Sequence, residues 1–478
     1  YWENGYRIFS ADPAKDFLRR EVPVDSVDLS PAYLLKVNRQ ADNSVEEGLL
    51  STASVAATAA PGNYEEREYK PKFNLTYVGG GGGVGVNVGG FGPTTGAYGG
   101  VDFLFSDILG NHQLFTSAVL NGRLVDFAGV AAYLNQKNRL GWGVSLSHIP
   151  YRLGGAFGPV GLDTLNFDDG SFLPVEHWVW QDERLFEDRV SAFLQYPFSQ
   201  TLRVEGGASY SLYYNRIDQS DLYYDAFGRL VYEDRNKLDL DGTALDISQH
   251  IGSVYTALVG DNSYFAIASP LKGYRFRLGV EKFFDGFKST QGQTGGADFW
   301  NLTADYRRYL YTKPVAFAFR ALHSGRYGKD ATQSVFRTNY IGYPWFVRGY
   351  FGNQTQDILF QNGKSTDILS GSKILVGNFE VRVPFTGPKQ LALIGSKAFF
   401  SELAFFFDAG IAFDRFDQLG DDIIDPDTQL KIGPDPVMSA GASLRINLFG
   451  MMVLEPYYAF PIQKETKGVF GLNIVPGW

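Results

Sequence analysis

The chain has 478 residues, with 44% hydrophobic, 20% charged and 15% aromatic side chains and a formal charge of -9. That length exceeds one small core, and the acidic balance argues against nucleic acid as a partner. The chain has no cysteine, which excludes disulfides and thiol chemistry, and its 5 His are spread singly, so no His-rich metal site is expected.

No run of about 18 apolar residues is present, so no transmembrane helix is expected. The 28 Tyr, 39 Phe and 55 Gly instead suit aromatic girdles, tight turns and strands that turn alternate residues to lipid. A mean hydropathy of -0.15 is compatible with that, because only every second residue of such a strand is apolar.

The chain begins at Tyr1 with no charged-then-apolar leader, so it is expected to start inside a longer precursor. Gly5-Tyr6-Arg7-Ile8-Phe9 reads as a strand closing an earlier module, and Ser51 to Asn63 (STASVAATAAPGN) has linker composition. We therefore divide the chain into an irregular periplasmic segment and linker, residues 1–68, and a barrel, residues 69–478.

From Tyr69 the pattern has period two. Leu202, Val204, Ala208, Tyr210, Leu212 and Tyr214 share one face, opposite Arg203, Glu205, Ser209, Ser211 and Asn215. Tyr274, Phe276, Leu278 and Val280 lie opposite Arg275, Arg277 and Glu281, and Ala440 to Leu448 repeats the pattern opposite Ser439, Ser443, Arg445 and Asn447. A helix would scatter these residues, whereas a strand separates them. About sixteen such segments of about 10 residues predict an all-β fold, a sixteen-stranded antiparallel transmembrane β-barrel.

The links alternate in length. Short ones fall at Asp107 to His112, Asn135 to Arg139, Pro197 to Gln200, Tyr311 to Pro314 and Asn447 to Gly450. Long polar ones fall at Pro150 to Arg184, Ile217 to Gly252, Ser324 to Gly371 and Asp414 to Pro436. Short periplasmic turns and long external loops are the asymmetry of an outer-membrane barrel. The tight Asn121-Gly122 hairpin and the longish Pro384 to Ala398 link depart from that parity.

The longest loop carries Phe346-Val347-Arg348-Gly349-Tyr350. Two strands later, Ala404 to Phe413 (AFFFDAGIAF) puts Phe405, Phe407, Ala409, Ile411 and Phe413 toward lipid and Phe406, Asp408 and Gly410 toward the lumen. An unpaired carboxylate among those aromatics would cost several kcal/mol in a dry site. Glu380 sits at the centre of the strand just after the loop. Folding the loop inward lets Arg348 meet Asp408 and Glu380, a task the planar guanidinium suits better than a lysine.

Val347-Arg348-Gly349-Tyr350 resembles the V-R-G-F/Y motif of BamA-type barrels, also called bacterial surface antigens. Phe406-x-Asp408-x-Gly410 resembles their F/G-x-D-x-G motif, and Glu380 in Asn378-Phe379-Glu380-Val381 matches their intervening acidic residue. The ending Phe470-Gly471-Leu472-Asn473-Ile474-Val475-Pro476-Gly477-Trp478 is similar to their aromatic-terminated last strand, with Phe470, Leu472, Ile474 and Trp478 as its signal. The resemblance covers Ser324 to Trp478.

It implies a sixth external loop that plugs the lumen and a lateral gate between first and last strands. It also implies a role in inserting or translocating proteins at the bacterial outer membrane, with unfolded protein clients and periplasmic or lipoprotein partners beside outer-membrane lipid. Residues 1–68 are too short and irregular for the POTRA modules of that family; their opening looks like the last strand of another module, such as a TolB-like propeller. Gly79 to Gly83 and Pro476 point to a weak seam between Phe73–Gly90 and Val469–Ile474.

The glycine run lacks the strand-to-helix context and Lys-Ser/Thr of a phosphate loop. Asp421-Asp422-Ile423-Ile424-Asp425-Pro426-Asp427 reads as a solvated loop, as do Asp163, Asp168, Asp169, Glu176 and His177. No catalytic constellation, metal site or cofactor is expected. The alternative function is a non-transporting barrel that anchors a periplasmic module or envelope complex. A diffusion porin is disfavoured by the plug.

Overall fold

Alternation of side-chain character becomes strand after strand in the computed structural model. It describes residues 69–473 apart from 90–91, 122, 168–169, 241–247, 267, 290–295, 333–335, 337, 398, 449–451 and 464–466. Among the described residues sixteen main strands follow one another along the wall, each antiparallel to the next. They are β1 (Asn74–Gly89), β2 (Gly92–Ser106), β3 (His112–Asn121), β4 (Arg123–Asn135), β5 (Gly141–Asn166), β6 (Phe172–Pro197), β7 (Leu202–Tyr224) and β8 (Ser248–Asp261). Then come β9 (Pro270–Ser289), β10 (Phe299–Thr312), β11 (Val315–Tyr327), β12 (Lys373–Gly387), β13 (Phe400–Phe413), β14 (Val437–Leu448), β15 (Met452–Pro461) and β16 (Val469–Asn473). Short strands at Leu230–Lys237, Tyr264–Phe265 and Ile394–Gly395 attach to β7, β9 and β12 and complete a nineteen-stranded sheet. Among the described residues no ladder pair joins β1 to β16.

The two faces separate as the period requires. Leu146, Val190, Tyr210, Leu278, Phe405 and Phe407 are exposed on the outside, whereas Ser211, Ser253, Ser439, Ser443 and Arg445 are buried within. Across the lumen face the Ser145 and Ser191 hydroxyls lie 2.6 Å apart, and those of Ser209 and Ser253 lie 2.9 Å apart.

Three expected features differ. The long link predicted over Pro150 to Arg184 is mostly ladder: β5 continues to Asn166 and β6 begins at Phe172. Its Gly and Pro residues signal turns in the sequence, but here they occupy bulges at Arg152/Gly154 and Pro159/Gly161 that keep the two strands in register. Within the predicted Ile217 to Gly252 link, β7 likewise runs to Tyr224 and turns into the Leu230–Lys237 strand. Phe413, expected to face lipid, is buried and packs on Phe416 at 5.1 Å between ring centroids. The loop that follows folds back over the end of β13 and covers it.

The long loop between β11 and β12 carries its own small core. Helix α1 (Asn353–Gln361) and a two-stranded pairing of Asn339–Tyr340 with Ser370–Gly371 frame it. Ile341, Val347, Tyr350, Leu359, Ile368 and Leu369 bury their side chains against Leu322, Ile374, Val376, Ala412 and Val437 of β11 to β14. Because those wall residues sit on the inner face, the loop occupies the lumen. Residues 1–68, Ile474 and Trp478, and the Gly90 and Ile474 ends of the expected seam, lie outside the described residues.

Candidate functional site

The even-numbered residues of β13 present Glu402, Ala404, Phe406, Asp408, Gly410 and Ala412 to the interior, all buried or nearly so. Successive residues of the loop motif fit that row. Val347 sits over Gly410, where an added Cβ would stand 2.9 Å from Val347 Cγ2. The Arg348 guanidinium lies 3.6 Å from the Phe406 ring centroid. Its Nε and Nη2 donate to the two Asp408 carboxylate oxygens at 2.7 and 2.8 Å, and its backbone N–H donates to Asp408 at 3.2 Å.

Gly349 has φ +91, and a Cβ there would meet Ala459 Cβ at 3.0 Å, so a side chain would be both strained and crowded. Tyr350 is fully buried; its hydroxyl donates to the Met438 carbonyl at 3.0 Å and accepts from Gln463 at 3.2 Å.

Arg348 also reaches Glu380 at 2.8 Å and Glu455 at 3.4 Å. The two residues expected as its partners therefore both lie within ion-pair distance. Asn378 completes the Asp408 shell, its amide donating to Asp408 at 2.8 Å and to the Phe346 carbonyl at 2.7 Å.

The network extends well beyond the sequence expectation. Arg445 on β14 lies 2.9 Å from Glu380, 2.9 Å from Glu455 and 3.1 Å from Glu402. Arg382 on β12 donates to Glu380 at 2.8 Å. Ser443 donates to Glu455 at 2.9 Å, and Asn473 of the last strand donates to it at 3.3 Å. Three arginines and four carboxylates are thus held in one buried cluster. Sequence reasoning missed Arg382, Glu402, Arg445 and Glu455. Their only signal was inward parity, which a wetter lumen wall would share.

Two neighbouring ties stand outside this cluster. The plug loop joins the β13–β14 loop through Lys364 to Asp435 at 2.7 Å, with Lys431 bridging Asp435 at 2.8 Å and Asp422 at 2.7 Å. Partial burial alone would raise the Asp435 carboxyl, but the hydrogen bonds and charges of Lys364 and Lys431 outweigh it and hold it below its ordinary range. Far round the wall, Arg184 is enclosed by Asp126, Asp182 and Asp218 at 2.6, 2.7 and 2.9 Å. On β16, Phe470 and Leu472 point outward and are exposed, while Val469 and Asn473 point in.

A cation clamped between carboxylates over an aromatic ring holds a loop in one register; it offers no nucleophile or general base to a substrate. Residues 186–474 match the family model described as the Omp85 superfamily domain. No curated protein matches the chain in sequence. Among solved structures the chain is similar to BamA from Haemophilus ducreyi lacking POTRA domains 1–3, at 13% identity and a TM-score of 0.48, covering 85% of this chain and 69% of that one. It is also similar to CdiB from Acinetobacter baumannii (12% identity, TM-score 0.41, 80% of this chain) and from Escherichia coli (14%, 0.44, 86%). It spans 56% and 62% of those two CdiB chains.

Proposed function

We propose that this chain, which belongs to the Omp85 superfamily and is an outer-membrane β-barrel, inserts proteins into the outer membrane or translocates them across it. The observation that carries the reading is the Arg348 seat. The lumen is occupied by a loop held through ionic contacts to three strands of the wall, at Glu380 on β12, Asp408 on β13 and Glu455 on β15, with Asn473 of β16 hydrogen-bonded to Glu455. Because Glu455 touches both Arg348 and Asn473, rearrangement of β16 has a means of reaching the loop. The β1–β16 seam is the proposed exit toward lipid, and unfolded outer-membrane proteins are the proposed clients. Periplasmic or lipoprotein factors are the proposed partners. The barrel acts without a catalytic group of its own. Residues 1–68 are proposed as a periplasmic segment and residues 69–478 as the barrel.

The absence of cysteine makes the test direct. One Cys is placed on β1 and one on β16, the barrel is reconstituted in liposomes, and the folding of an unfolded client barrel is timed with the seam reduced or oxidised shut. Acceleration that disappears on oxidation is expected. A folded barrel that accelerates nothing in either state overturns the proposal in favour of an anchoring role.

A further inference from the structure

The link between β8 and β9 lies at the same end of the wall as the short links. Its contacts are elsewhere. Ser269 is fully buried, and its hydroxyl lies 2.7 and 2.8 Å from the two Glu402 carboxylate oxygens. The Arg382 Nη1 donates to the Pro270 carbonyl at 2.9 Å and to Ser269 Oγ at 3.3 Å. Ala268 packs with Val453 of β15, Ala392 and Phe400.

Between β9 and β13 along the wall stand β10, β11 and β12. At ordinary strand spacing that is a separation of about 19 Å measured along the sheet. A direct contact from the start of β9 to Glu402 therefore crosses the base of the lumen as a chord. The plug loop closes the lumen from the long-loop end, and this link straps it at the other.

Both elements draw on the same charges. Ser269 holds Glu402, Glu402 holds Arg445 at 3.1 Å, Arg445 holds Glu380 and Glu455 at 2.9 Å, and these hold Arg348. We infer that the end of this link, Ala268-Ser269-Pro270, forms a periplasmic latch thermodynamically coupled to the plug loop through Glu402 and Arg445, so that releasing either element loosens the other. When the latch leaves, Glu402 loses its hydroxyl donor and Arg382 loses a carbonyl acceptor. Arg382 and Arg445 are then freer to redistribute over Glu380, the carboxylate that Arg348 also needs. When the plug leaves, Glu380 and Glu455 lose Arg348 and draw Arg445 away from Glu402. The coupling rests on the proposed function only in requiring that the plug unseats during work.

Reciprocity supplies the test, since each element must affect the other by the same factor. Single-cysteine reporters are introduced at Leu359→Cys, buried within the plug loop, and at Ala268→Cys in the latch, and their maleimide labelling is timed in reconstituted barrels without client. Ser269→Ala is expected to raise labelling at position 359, and Arg348→Ala to raise it at 268, each by at least about five-fold. Glu402→Gln, which cuts the chain between them, should loosen both in a barrel of normal folded gel mobility. Faster labelling at 268 with no change at 359 in Ser269→Ala or Glu402→Gln overturns the coupling. Because no client is present, that failure is separate from failure of the insertion assay.

Discussion

Replacing Arg348 by alanine removes the cation from Asp408, which is fully buried and would keep two neutral donors, the Asn378 amide at 2.8 Å and the backbone N–H of residue 348 at 3.2 Å. Glu380 is better protected, because Arg382 and Arg445 remain at 2.8 and 2.9 Å, and Glu455 keeps Arg445. The dominant loss is thus one stranded carboxylate, worth about 3–5 kcal/mol when a buried pair is broken from one side. The stacking of the guanidinium on Phe406 adds about 1–2 kcal/mol in a desolvated setting. Unseating lets water reach Asp408, so the loop rather than the barrel should yield. At the lower end of this range the unseated population rises about a hundred-fold.

Trypsin cleavage after Lys364 reports that population when seating is fast relative to cleavage. If the penalty is the orphaned carboxylate, adding Asp408→Ala to Arg348→Ala should restore part of the protection, giving strongly non-additive effects. Unchanged cleavage in Arg348→Ala, or simple additivity of the two substitutions, would refute the argument.

Gly410→Ala should displace Val347 and cost about 1–3 kcal/mol of plug seating by overpacking; the same cleavage assay reads it, with Gly377→Ala, where a Cβ meets nothing within 4 Å, as the neutral control. The Lys364–Asp435 tie should depend on pH. The folded Asp435 carboxyl lies below its ordinary range, so its contribution is complete above the unfolded pKa of about 3.9 and is lost as pH falls through the lower folded value. Cleavage near Lys364 by an acid-active protease such as pepsin should therefore rise as pH falls below about 4 in the parent protein and lose that dependence in Asp435→Asn. Arg184→Ala leaves three carboxylates facing one another and should destabilise the upper parts of β6 and β7 by about 3–5 kcal/mol. Amide exchange over β6 and β7 that stays at the parent rate would count against it.

The wall was legible because one rule governs it: a strand that faces lipid on one side and a polar lumen on the other must alternate. Arg348, Asp408 and Glu380 were legible for a related reason, since a carboxylate among phenylalanines needs a partner and the loop offered one Arg among apolar neighbours. Arg445 and Glu455 carry no such demand in sequence. A charged residue at an inward position looks the same whether it meets water or another side chain, and only packing of the plug decides between them. Ser269 is less legible still, because Ala268-Ser269-Pro270 has the composition of any turn. The extended β5 and β6 were hidden by glycines and prolines that mark turns in short strands but act as bulges in long ones.

The chemistry of the plug seat bears on how the loop works. Its upper part, around Ile341, Val347, Tyr350 and Leu359, is apolar and would serve as a stopper by itself. Beneath it lie three arginines and four carboxylates whose burial costs desolvation that their attraction only partly offsets, so the charges are a poor means of adding stability. They are effective at fixing register. A slip of one residue would bring Val347 or Gly349 opposite Asp408 and leave the carboxylate bare, so the ionic layer permits one seated position and heavily penalises its neighbours. It also makes leaving easier than an apolar layer of equal area would, because every group regains water on exposure. Apolar contact above and charge below therefore give a loop that is either fully seated or free, with little populated between, which is the behaviour the proposed insertion role asks of the plug.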